Sequence, residues 1–235
     1  MGNQKSKSSS LERRRSLSSP SAATQQTWTI PQVIQDILDK ADSDQQIDKS
    51  SEEVFYDQLS SAGIFLEGKT QKFWLNKKLK CNCFMVYARA LTITWESDQR
   101  YWKWEKFQES RGTMIEVAEL IRVCWLDVSG KLDMKKLSAG VMYGVSFHVM
   151  LENSPTQHNW SVKVSLKLAG ENYEESEINF KEMMKGTWME IPVAQFIAPD
   201  LDGKGKGIFM EFFLRNHGEK WKRGLIVKGV SIKPL

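Results

Sequence analysis

From Val141 to Leu151 an apolar side chain falls at every second position: Val141, Tyr143, Val145, Phe147, Val149 and Leu151. Successive side chains of an extended chain point to opposite faces, so this run offers one face to a core and one to solvent. Val162, Val164, Leu166 and Leu168 repeat the pattern. Further strands are expected over residues 71–75, 83–88, 91–95, 115–128, 187–193, 207–214 and 224–232. So many strands joined by polar turns predict an all-β protein, an antiparallel β-sandwich of jelly-roll type. At 235 residues, 41% of them apolar, the chain can bury one sizeable core and still carry extensions.

Ahead of residue 69 the period changes. Ile30, Val33, Ile34, Ile37 and Leu38 recur at helical spacing, with Pro31 suited to a first turn and Thr29 placed as its cap. Ser50 and Glu53 form an S-x-x-E capping box before Val54, Phe55 and Leu59, and Gly63 is placed to end that second helix. Two short α-helices have too few apolar positions to stand alone. Residues 28–68 are therefore expected as a helical extension that packs on the body, residues 69–235, or on a partner.

Residues 1–27 hold Lys5, Lys7, Arg13, Arg14 and Arg15 against the single acid Glu12, and no aromatic residue. This is the composition of a disordered tail. Those charges account for the whole formal charge of +4, so the body is neutral and RNA is not its expected partner. Met1-Gly-Asn-Gln-Lys-Ser6 fits the M-G-x-x-x-[ST] pattern for myristoylation of Gly2. One acyl chain binds bilayers only marginally, with a constant on the order of 10⁴ per molar. The basic cluster supplies the second signal, about 1 kcal/mol per cation near an anionic inner leaflet. Arg13-Arg-Arg-Ser16 reads as a basic-directed phosphorylation site, and a phosphate on Ser16 would weaken that attraction.

There is no apolar run of membrane-spanning length and no secretory h-region, so a cytoplasmic location, partly at the membrane through the acylated end, is expected. Cys81, Cys83 and Cys124 suit a reduced compartment, and a lone C-x-C has no second pair to complete a metal site. His148, His158 and His217 lack ligand spacing. Gly203-Lys-Gly-Lys-Gly207 lacks phosphate-loop spacing and precedes a strand, and Asp200 and Asp202 do not continue as a calcium loop. No nucleophile motif and no assignable pair of carboxylates appears. The expectation is a protein without catalysis, metal or cofactor.

Leu91-Thr-Ile-Thr-Trp95 and Tyr101-Trp-Lys-Trp104 put three indoles and a phenol within fourteen residues. An indole face matches the C–H face of a pyranose, and neighbouring polar groups can bond its hydroxyls. Core packing is the competing reading for at least one ring. These segments, with Cys83-Phe-Met-Val-Tyr-Ala-Arg-Ala90, Glu116-Val-Ala-Glu-Leu120, Val123-Cys-Trp-Leu-Asp127 and Trp221-Lys-Arg-Gly-Leu-Ile-Val-Lys-Gly-Val-Ser-Ile-Lys-Pro234, resemble the phloem protein 2 family, the Nictaba-related plant lectins.

The resemblance spans about residues 70–235 and implies a lectin for N-acetylglucosamine oligomers and N-glycan cores. Trp95 and Trp102 match the family's sugar-binding tryptophans, with Thr94 and Tyr101 adding hydrogen bonds. Trp104, Trp125 and Trp221 are expected in the core. The family's lysine-rich nuclear import loop corresponds here to the acidic Gly170-Glu-Asn-Tyr-Glu-Glu-Ser-Glu177, which argues against nuclear entry. A shallow site gains avidity by clustering, so a homo-oligomer is expected. Two rival functions stay open: a membrane-tethered protein adaptor, and an RNA-binding protein using its tail.

Overall fold

The structure, a computed structural model, describes residues 1–2, 28–154, 159–169, 171–181, 183–201 and 207–235. The basic cluster, Ser16, His158 and most of the Gly203–Gly207 segment lie outside the described residues. Met1 and Gly2 are exposed.

Two helices come first, α1 (Gln32–Leu38) and α2 (Glu52–Ser61). The strands that follow are β1 (Ile64–Leu66), β2 (Gln71–Leu75), β3 (Asn82–Tyr87), β4 (Thr92–Ile93), β5 (Trp102–Gln108) and β6 (Met114–Leu120). Then come β7 (Leu126–Asp133), β8 (Met142–Leu151), β9 (Ser161–Leu168), β10 (Glu171–Asn179), β11 (Met189–Ile197), β12 (Phe209–Asn216) and β13 (Leu225–Pro234). They make two antiparallel sheets, as the alternation predicts.

The larger sheet is organised about β13, which pairs with β8 along its whole length, and β8 with β11. On its other side β13 meets β3 through residues 229–232 and β6 through Ile226 and Val227, so β3-β2-β1 and β6-β5 branch from one edge. The smaller sheet runs β10-β9-β12-β7-β4. Tyr143, Val145, Phe147, Val149 and Leu151 of β8 all face inward and are buried. Val162, Val164 and Leu166 of β9 and Phe212 and Leu214 of β12 meet them from the smaller sheet. Phe147 and Phe212 touch edge to face, 6.1 Å between centroids. Each such side chain contributes about 1.5–3 kcal/mol on burial.

Both helices close one flank of this core. Ile34, Ile37 and Leu38 of α1 and Phe55 and Leu59 of α2 belong to the same buried cluster, and Trp28 packs on Phe55 at 5.2 Å. The caps differ from the sequence expectation by one or two residues. Pro31 itself is the N-cap of α1, with no side-chain bond from Thr29. Ser51, not Ser50, caps α2 by accepting from the Val54 N–H at 3.2 Å, while the Ser50 N–H donates to Asp48. Gly63 does end α2, at φ +64°, where a Cβ would stand 2.6 Å from the Phe73 carbonyl oxygen.

Three strand expectations need correction. The segment 115–128 is two strands, because the chain leaves the larger sheet at Leu120 and enters the smaller at Leu126. Residues 91–95 give only the two-residue β4, since Trp95 turns into the left-handed region at φ +63°. The acidic segment expected as a loop forms β10, an edge strand registered on β9.

Candidate functional site

The residues singled out in the sequence meet in the turn that joins β4 to β5. Its backbone closes on itself: the Asp98 N–H donates to Trp95 O at 3.0 Å, and the Tyr101 N–H to Asp98 O at 2.9 Å. The Thr94 N–H ties the turn to β7 through Asp127 O at 3.0 Å. Arg100 doubles back on the Asp98 carboxylate at 2.7 Å and holds its pKa below the usual range. Two indoles of β5 fix the turn from below. Trp102 Nε1 donates to Thr94 O at 3.0 Å, and Trp104 Nε1 to Glu96 O at 3.3 Å.

These bonds divide the predicted residues. Trp95 is 45% exposed and lies against Tyr101, 5.2 Å between centroids at 39°. Tyr101 and Thr94 are half-buried. Trp102 is 1% exposed and belongs to the core, so its ring does not present the open face expected for stacking. The physical reason is register. Trp102 pairs with buried Leu120 and points inward, whereas Trp95, set in the left-handed turn, is turned outward. Trp104 is half-buried, its outer face covered by the Arg89 guanidinium at 3.6 Å, which Glu116 holds by two bonds. Above Trp102 a hollow of about 740 Å³ is rimmed by Glu96, Ser97, Gln99 and Lys103.

Two further loops reach the same end of the sandwich. The Ile121 N–H donates to Tyr101 O at 2.9 Å, and Val123 pairs with Lys222. Lys222 is itself buried, and its ammonium donates to the carbonyl oxygens of Cys124, Asn216 and Gly218. A single cation thus satisfies carbonyls from two loops that no strand would pair.

On these loops stand Trp125, 46% exposed, and Trp221, 55% exposed. The core expectation fails for both. Trp125 lies out of phase with buried Leu126 and Val128 only by alternation, a signal present in the sequence; Trp221 precedes β13 in a loop and carries none. Trp125 stacks on His217 at 3.8 Å and 8°, and His217 Nε2 lies 2.9 Å from Asp127 Oδ2, which also takes Arg215 at 3.1 Å. Among the described residues no group of three His, Cys, Asp or Glu side chains is placed to hold a metal.

The chain's likeness to known proteins follows the same segments. Residues 81–234 match the family profile described as Phloem protein 2. A protein named Lectin from Luffa acutangula is 44% identical over 179 residues, covering 76% of this chain and 83% of the relative. Protein PHLOEM PROTEIN 2-LIKE A1 from Arabidopsis thaliana is 36% identical over 184 residues, covering 76% of this chain and 72% of the relative.

Proposed function

Because the chain belongs to the phloem protein 2 family, we propose that it is a non-catalytic carbohydrate-binding protein whose ligand lies across the end of the sandwich that carries Trp95. The observation that carries this reading is the exposed Trp95 ring, backed by Tyr101 and held on a turn pinned by the buried Trp102 and half-buried Trp104 indoles. A flat ring fixed before the ligand arrives loses little freedom on binding. Glu96, Ser97 and Gln99 border the adjoining hollow and can pair with hydroxyls in both directions.

N-acetylglucosamine oligomers or N-glycan cores are the proposed ligands. Their acetamido-pyranose rings offer the apolar face that an indole takes and leave amide groups for the rim. Trp102 acts here as a positioning residue: its N–H holds Thr94, which precedes Trp95 in the turn. Trp125 and Trp221 are proposed as outer platforms for the longer arms of a glycan.

Isothermal titration of the full chain with chitotriose tests this. The expectation is saturable binding that falls about tenfold or more in Trp95→Ala, the loss of one aromatic platform and its covered area. An unchanged affinity in Trp95→Ala, with the fold intact by circular dichroism, would overturn the proposal. Attachment at the inner face of a membrane by an acylated Gly2 is part of the same reading. Labelling with radioactive myristate, lost in Gly2→Ala, is the expected result, and an unlabelled wild-type chain would remove it.

A further inference from the structure

The loops that carry Trp125 and Trp221 also carry a charged face that the glycan reading leaves unused. Val123 and Lys222 form an antiparallel bridge: the Val123 N–H donates to Lys222 O at 3.0 Å and the Lys222 N–H to Val123 O at 2.7 Å. Both side chains turn inward and are buried. In an antiparallel pair the residues that flank such a bridge stand opposite one another on the other face. Arg122 is thereby set against Arg223, and Cys124 against Trp221. Exposure follows that alternation, since Arg122, Trp221 and Arg223 all lie open to solvent. The Arg122 guanidinium stands 5.6 Å from the centre of the Trp221 ring, the diagonal contact that this register predicts.

Like charges directly opposite one another across two strands destabilise the pairing unless an anion lies between them. Arg122 and Arg223 have no such anion. Among the described residues neither enters an ion pair or a side-chain hydrogen bond, and the same holds for Lys220. Glu219 is the one acid of the segment 218–224. Nearer Trp95 the arginines are spent, Arg89 on Glu116 and Arg100 on Asp98. Beneath the face the Lys222 ammonium is met by the carbonyl oxygens of Cys124, Asn216 and Gly218, so its charge adds to the positive potential above it. Those bonds also fix both loops before any ligand arrives, which lowers the ordering cost of binding.

We infer that this face binds an acidic sugar, a uronate whose ring lies on Trp221 and whose carboxylate is taken by Arg122 and Arg223. The inference deepens the glycan reading, in which Trp221 is an outer platform, and it does not depend on Trp95. A guanidinium fork offers a planar carboxylate two parallel N–H donors, and an indole takes the C–H face of the ring that bears it. Charge separates this ligand from a nucleic acid. A single strand needs a basic groove that tracks phosphates over about 4–16 nucleotides, whereas here Arg122, Lys220 and Arg223 stand against Glu219 on a neutral body.

Titration calorimetry on the full chain with trigalacturonate and with its methyl ester tests the inference, because the ester keeps the rings and removes the charge. Saturable binding of trigalacturonate is expected, with the ester at least about tenfold weaker. Arg122→Gln and Arg223→Gln should each weaken the acid about fivefold to tenfold, as for a lost bond to a charged acceptor, and Trp221→Ala about tenfold. Neither arginine variant should lower Tm, since each removes one of two facing like charges. Chitotriose affinity should be unchanged in both, so that a failure at Trp95 and a failure here are read separately. No saturable binding of trigalacturonate, an ester bound as tightly as the acid, or an affinity that neither arginine variant disturbs would overturn the inference. So would a short uridylate oligonucleotide that binds more tightly than trigalacturonate and is lost in the same variants, which would make the face a nucleic-acid surface.

Discussion

Trp102 and Trp95 are seven residues apart, yet they should respond to truncation in opposite ways. Removing the Trp102 ring empties a core site and frees the carbonyl of Thr94, a loss of about 3–5 kcal/mol that urea denaturation would register. Trp95→Ala removes an exposed ring and should change stability by no more than about 0.5 kcal/mol while removing the ring proposed to hold the glycan. His148 makes a second prediction at this scale. Its folded pKa is about 4, against about 6.5 when unfolded. Below pH 6.5 the unfolded chain takes up the proton first, so stability should decline from pH 6.5 to about 4 and level off beneath. The difference amounts to about 3 kcal/mol, and His148→Gln should flatten the part of the curve that lies above pH 4.5. The aromatic pair at Trp95 and Tyr101 was legible from type and spacing, whereas Trp125, expected in the core, is exposed although its alternation with Leu126 and Val128 carried that phase. The inward turn of Trp102 was not legible, because it depends on which strand β5 pairs with, a contact distant in sequence.

Among the elements, β8 and β9 were plain from alternation because each has one face in the core and one in water. β10 escaped notice for the opposite reason. Glu174, Glu175 and Glu177 are all exposed, and even the side turned toward the core carries a glutamate at its end. Charges on an edge strand deter pairing with another chain. Glu175 also meets Lys163 at 2.9 Å, an exposed pair of small worth. Replacing Glu175 and Glu177 by threonine should therefore leave Tm nearly unchanged but raise the mass seen by light scattering at high concentration; a monodisperse double variant would count against a protective edge. The helices were legible as elements and their partner was not. Ile37 and Leu59 are buried in the common core, so removing residues 28–61 should yield an aggregating body, measured as loss of soluble protein on expression.

For the molecule as a whole, one end of the sandwich gathers exposed indoles, Trp95, Trp125 and Trp221, on the loops near β4. A ligand that binds there in the folded state alone should raise Tm by mass action. Thermal scans with saturating chitotriose should show that shift, and Trp95→Ala should reduce it. The placing of β13 between β8 and both branches of the larger sheet reaches beyond the folded state. A nascent chain cannot close that sheet until Leu225–Pro234 has left the ribosome, so folding must wait for synthesis to pass Pro234. Until then the unpaired edges of β3 and β8 are the surfaces that a holdase chaperone would have to shield.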